Sequence, residues 1–134
     1  MTKITDIRKA GVDIKTRHKV WLALSEFYLD TQLMKEDFER IALIFRHSGL
    51  ELQTIKKIDK YEVFPILQPN LSGVAGEWLG FDEGWLFENC EKQIEKQNNW
   101  FYKAKINLWN SPLYWMRKDY WRSIENILNN NNAL

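Results

Sequence analysis

Glu62 and Glu77 are carboxylates set where apolar residues are expected. Glu77 lies at the edge of an apolar arc made by Leu71, Val74, Ala75, Trp78 and Leu79, and Glu62 immediately precedes the turn Val63-Phe64-Pro65. Two semi-buried carboxylates can serve as a general acid and a general base. They can equally tie helices together, because a buried carboxylate must be paired or protonated. Arg17, Arg40 and Arg46 are the candidate partners for Glu77. We read Glu62 as structural and assign neither carboxylate to catalysis.

Other chemistries fail on residue type or spacing. A metal site needs clustered His, Cys, Asp or Glu. The chain has two histidines, His18 and His47, each beside a basic residue and neither in an HxxH or HExxH pattern. Both read as surface or helix-end residues. A nucleophile needs Ser or Cys with a histidine base, but Ser25 and Cys90 sit on apolar helical stripes. Gly73, Gly76 and Gly80 do not form a phosphate loop, since neither GxGxxG nor GK[ST] is present. No catalytic residue, metal or cofactor is expected, and the chain reads as a non-enzyme.

Two surfaces remain. NNWFYKAKINLWNSPLYWMRKDYWR interleaves Trp100, Trp109, Trp115 and Trp121 with Lys103, Lys105, Arg117, Lys118 and Arg122. Aromatics stack on bases and cations neutralise phosphate, so single-stranded nucleic acid is one reading. No nucleic-acid fold signature accompanies it, and the net charge is only +1. Trp115, Lys118 and Arg122 share one side of the last helix, as an interface anchor or a surface cation–π pair does. The second surface is acidic: Glu77, Asp82, Glu83 and Glu88 surround Trp78 and Trp85.

The elements that must position these residues are helical. Val20, Trp21, Leu24, Phe27 and Tyr28 recur at helical spacing, as do Phe38, Ile41, Ala42 and Phe45. Glu36 and Asp37 in the first turn of that second helix, and Arg46 and His47 in its last, suit the helix dipole. Ser48-Gly49 is its expected C-cap. A third helix is predicted from Leu52 to Glu62, stopped by Pro65 and Pro69. Asn70 would cap a glycine-containing helix at the domain centre. Gly73 and Gly76 inside it cost on the order of 2 kcal/mol together, so close approach of another helix or of a partner must offset them. Asp82 would cap the next helix, with Trp85, Leu86, Cys90 and Ile94 inward; that helix either continues towards Leu108 or breaks near Gln97-Asn98-Asn99. Ser111-Pro112 predicts the start of the last helix, which presents Leu113, Tyr120, Ile124, Ile127 and Leu128. YEVFPIL is the best strand candidate, and Pro65 weakens it. The expected fold is all-α: one compact bundle of about six helices.

At 134 residues the chain is one domain. We expect a poorly ordered extension over 1–15, a helical domain over 16–128 and a disordered asparagine-rich tail over 129–134. Aromatics make up 14% of the chain, which lets a small core bury a large area. Charge is uneven. Residues 1–19 are net +4, residues 20–91 net −7 and residues 92–134 net +4, which fits internal pairing between segments of one domain. A single cysteine, no secretory leader and no membrane-length apolar run predict a cytoplasmic protein.

The strings RHKVWLALSEFYLDT, RIALIFRHSG and YEVFPILQPNLSGVAGEWLGFDEGWL resemble a family of small bacterial cytoplasmic proteins known as a domain of unknown function. The likeness runs from about Arg17 to Ile94 and is most specific over Asn70–Asp82. It implies a compact helical domain and supplies no catalytic residues. Small bacterial proteins of this kind resemble immunity proteins, which bind and neutralise a toxin. The expectation is therefore an immunity or antitoxin-type module that occludes the active site of a toxin encoded nearby. Glu77, Trp78, Asp82, Glu83, Trp85, Trp115 and Arg122 are its candidate partner-binding residues, with Gly73, Gly76, Glu62 and Asn70 structural. Single-stranded nucleic-acid binding through the basic-aromatic segment is the alternative. Neither the oligomeric state nor the partner follows from the sequence.

Overall fold

Asp13 opens the first helix. Its side chain accepts the Thr16 N–H at 2.7 Å, and α1 runs Ile14–Ser25 before tightening into a 3-10 turn over Glu26–Tyr28. The computed structural model of the chain describes residues 12–29, 32–72 and 82–131. After α1 come α2 (Lys35–Ser48), α3 (Leu52–Ile58), α4 (Phe64–Ser72), α5 (Glu83–Lys96), α6 (Trp100–Leu113) and α7 (Trp115–Asn131). A π-helical turn, Asp59–Val63, joins α3 to α4. Counting that run as one helix gives six, and no strand occurs among the described residues. The fold is all-α.

The stripes legible in the sequence form the core. Val20, Trp21, Leu24, Phe27 and Tyr28 are all buried, as are Ile41, Ala42 and Phe45. Trp121 of α7 closes the far side, edge-on to Phe27 at 5.2 Å and stacked on Phe45 at 5.9 Å. Burying one such ring contributes several kcal/mol, since each removes a large apolar area from water. Trp121 therefore does not belong to the basic-aromatic surface expected of it. Arg117 does not either, being fully buried. Gly49 ends α2 at φ 73°, left-handed as a C-cap requires.

Four helix boundaries differ from expectation. Pro65 and Pro69 do not stop the helix begun at Leu52. In the π turn Phe64 N–H donates to Asp59 O, an i→i−5 bond, and Pro65 then falls in the first turn of α4, where a missing N–H costs least. Burial of Phe64 and Leu67 offsets the further ladder bond that Pro69 forgoes. Asn70 accordingly lies inside α4 and does not cap a separate helix. Ser111-Pro112 starts nothing: Asn99 has already capped α6, and Pro112 sits in its last turn. The bond Pro112 cannot make is lost where the ladder is about to end, at Tyr114. Finally α7 carries the asparagine tract as far as Asn131, three residues past the expected domain limit. The remainder of the glycine helix, with Gly73, Gly76, Glu77 and Trp78, lies outside the described residues.

Of the two courses open to α5, the chain takes the break at Gln97-Asn98-Asn99. The Asn99 side chain accepts from Phe101 N–H at 2.8 Å and Tyr102 N–H at 3.2 Å. Asn99→Ala should cost about 1 kcal/mol, read as a lower urea midpoint with an unchanged slope. A fall in slope instead would mean that the substitution altered more than the cap.

Candidate functional site

The π turn carries two buried carboxylates, Asp59 and Glu62. Both fall on the apolar arc of Ile55 and Ile58, so a helical projection of residues 55–63 already marks them. Glu62 stands out in the sequence and Asp59 does not, because its flanking lysines suggest an exposed position.

Glu62 spends both oxygens on neighbours. Oε1 accepts from Arg17 Nε at 3.0 Å and Trp21 Nε1 at 2.8 Å. Oε2 accepts from Arg17 Nη2 at 3.0 Å and Gln97 Nε2 at 3.1 Å. This is the two-pronged geometry that suits guanidinium to carboxylate. Arg17 also donates to Val12 O at 3.3 Å. One carboxylate thus ties α1, the π turn and the α5–α6 junction together. Arg17 is the partner of Glu62. Arg40 instead pairs with Glu26 at 2.6 Å and Asp37 at 3.1 Å, and Arg46 donates to Leu128 O at 3.3 Å.

Asp59 faces the other way. Its Oδ1 accepts from the Tyr28 hydroxyl at 2.5 Å, and Oδ2 from Arg117 Nε at 3.0 Å. Arg117 donates from Nη2 to Asn110 Oδ1 at 2.7 Å. Its guanidinium lies over the rings of Phe64 at 4.9 Å and of Tyr28 and Tyr114 at 5.4 Å. Burial pushes the Tyr28 hydroxyl well above its ordinary pKa, and the Asp59 charge adds to the effect. Burial opposes the Arg117 charge, yet Asp59, Tyr28 and Tyr114 together hold the guanidinium above its ordinary value. Each cluster sets a carboxylate against a guanidinium in the core, and both carboxylates are buried.

The same pairs offset part of the uneven charge along the chain. Arg17 from the basic start and Arg117 from the basic end both neutralise acids of the middle segment. His18, which the sequence places at the surface, is half covered. It stacks on Phe87 at 3.9 Å and lies 3.3 Å from Glu91. Cys90 is buried, and desolvation, aided by the charges of Glu62 and Glu91, drives its thiol far up from the ordinary value. It is therefore no thiolate nucleophile. Among the described residues no three His, Cys, Asp or Glu side chains gather as metal ligands, and no helix is long and apolar enough to cross a membrane.

An open groove of about 380 Å³ runs between the end of α2, the start of α3 and the end of α7. Phe45, Leu52, Ile55 and Leu128 line it, with Arg46 its one ionisable group. It can seat an apolar side chain and holds no acid–base pair.

The candidate partner-binding residues that are described all face solvent. Asp82 caps α5, its Oδ2 accepting the Trp85 N–H at 2.8 Å. Asp82, Glu83 and Glu88 are exposed around Trp85, itself 42% exposed. Trp85 was expected to point inward with Leu86, Cys90 and Ile94; it turns outward, while those three are buried. Trp115 and Arg122 are exposed on α7, and Arg122 lies 3.8 Å from Asp119. Two further exposed aromatics, Trp100 and Phe101, stand at the start of α6.

A domain family of unknown function, DUF7079, matches residues 15–127. The chain belongs to this family. The match extends the likeness beyond Ile94 to take in α6 and most of α7, so the Arg117–Asp59 cluster lies inside the family domain as Arg17–Glu62 does. No curated protein and no solved structure matches the chain.

Proposed function

We propose that this DUF7079 domain is a non-enzymatic protein-binding module of the immunity or antitoxin type, acting by occlusion. One observation supports this most. The first turns of α5 present Trp85 among Asp82, Glu83 and Glu88, while Leu86 and Cys90 anchor the same helix in the core. A helix start that exposes an aromatic residue with carboxylates at nearby positions is suited to a basic cleft. The ring supplies buried area, and the charges supply orientation and a fast encounter. A toxin that handles an anionic substrate offers such a cleft, and the carboxylates would take the substrate's place.

The tagged chain, recovered from its source organism, should bring down one stoichiometric protein encoded beside it. Double charge reversal, Asp82→Lys with Glu83→Lys, should then weaken binding to that protein at least tenfold, or about 1.4 kcal/mol. Both side chains are exposed, so the core should survive the loss of the Asp82 cap, which costs about 1 kcal/mol. Asp82→Asn, which keeps a capping oxygen, separates the charge from the cap. Unchanged affinity in the folded double variant would remove α5 from the interface.

A further inference from the structure

Residues 97–118 include no acidic residue, and most of the helix at their centre is turned away from the core. Only Ile106 of α6 is buried. Lys103 lies over the Tyr61 ring at 5.5 Å, and Asn107 accepts from the Tyr61 hydroxyl at 3.1 Å, which fixes the inner side. On the outer side Phe101, Ala104, Leu108 and Pro112 recur at spacings of three and four residues, all exposed. Phe101 is 75% and Leu108 80% exposed, and Trp100, 71% exposed, stands edge-on to Phe101 at 4.7 Å. The row is about 16 Å long at 1.5 Å per residue. Lys105, also exposed, flanks it.

We propose that the outer face of α6 docks an amphipathic helix with acidic flanks, supplied by a protein partner. This rests on the protein-binding reading above and adds a second contact face of opposite charge. A continuous apolar row on an exposed helix marks an interaction site. Its period of three and four is that of helix-on-helix packing, with Ala104 forming the notch between Phe101 and Leu108 into which a partner side chain fits. The charge selects the partner. Two copies of α6 would bring lysine against lysine with no acid to relieve them, so self-pairing is disfavoured, and a carboxylate-flanked helix is favoured. Nucleic acid fits less well, because Ala104 and Leu108 offer no ring for base stacking. A membrane surface fits less well too, since two lysines on α6 fall short of the basic cluster that anionic lipid recruits.

The test uses the full chain and a synthetic amphipathic peptide of about 20 residues, with leucines in heptad spacing and glutamates flanking them. Titration by fluorescence anisotropy should give saturable binding. Leu108→Glu and Lys105→Glu should each weaken it about tenfold or more, and a peptide with lysine in place of glutamate should not bind. Circular dichroism checks that the variants stay folded. Absence of binding would overturn the proposal, and so would equal binding by Leu108→Glu. Preferential, Leu108-dependent capture of oligothymidylate or of phosphatidylglycerol vesicles would also overturn it, in favour of those ligands. If the protein recovered from the source organism is lost on reversal at Asp82 and Glu83 but kept by Leu108→Glu, the protein-binding reading stands and this inference falls.

Discussion

Arg17→Met should lower the unfolding free energy by about 3–5 kcal/mol, the range for removing one partner of a buried ion pair. Glu62 would keep Trp21 and Gln97 as donors but lose the one cation at hydrogen-bond distance among the described residues. The loss follows from leaving a charge in the core, and it overstates the net contribution of the intact pair. The double variant Arg17→Met with Glu62→Leu should therefore regain part of it, although Trp21 Nε1 and Gln97 then forfeit an acceptor. Urea titration of the wild type, both singles and the double closes the cycle. A cost below about 1 kcal/mol for Arg17→Met would place the pair among those that contribute little. The cycle also separates structure from catalysis, because a catalytic Glu62 would tolerate substitution in stability while losing activity.

Asp59→Asn should be comparably severe, again about 3–5 kcal/mol. The substitution keeps shape and removes charge, so Arg117 stays buried among Tyr28, Phe64 and Tyr114 with no carboxylate beside it. Tyr28→Phe removes a single hydrogen bond to Asp59 and should cost about 1–3 kcal/mol. The ordering Asp59→Asn above Tyr28→Phe, read from chemical denaturation midpoints, is the expected result. The reverse ordering would mean that the hydroxyl rather than the guanidinium holds the π turn. Where both variants remain folded, partner affinity should match wild type, since neither cluster reaches the exposed faces of α5 or α6.

The helical stripes were legible because a period near 3.6 is written in local sequence. Trp21, Leu24, Phe27, Ile41 and Phe45 are found buried where that period puts them. Local signals also placed the caps at Gly49 and Asp82, since a cap depends on its own side chain or φ angle and on bonds within one turn. The proline signals misled. Pro65 marks a helix end only if the ladder must stay i→i−4, and a π turn absorbs it here; Pro112 marks a helix start only if no helix already holds it, and here the last turn of α6 does. Arg117 and Trp121 look like surface residues beside Lys118 and Arg122, yet they are core. Nothing within a few residues of Arg117 shows the carboxylate that waits for it at Asp59.

By itself the sequence determined the all-α class, the faces of α1 and α2, and a membership that α1 through α7 share with one family. The class and the faces rest on short-range periodicity and composition, which act before the chain is compact, and the membership rests on the family match over residues 15–127. Tertiary structure decided which charges are buried and in what pairs. Arg17 meets Glu62 across 45 positions and Arg117 meets Asp59 across 58. It also decided which aromatics remain outside: Trp121 goes in and Trp100, Phe101 and Trp115 stay out. The physical reason is the same in both cases. A charge or a ring is buried only if elements distant in sequence arrive to neutralise or cover it, and that arrival is a property of the packed helices.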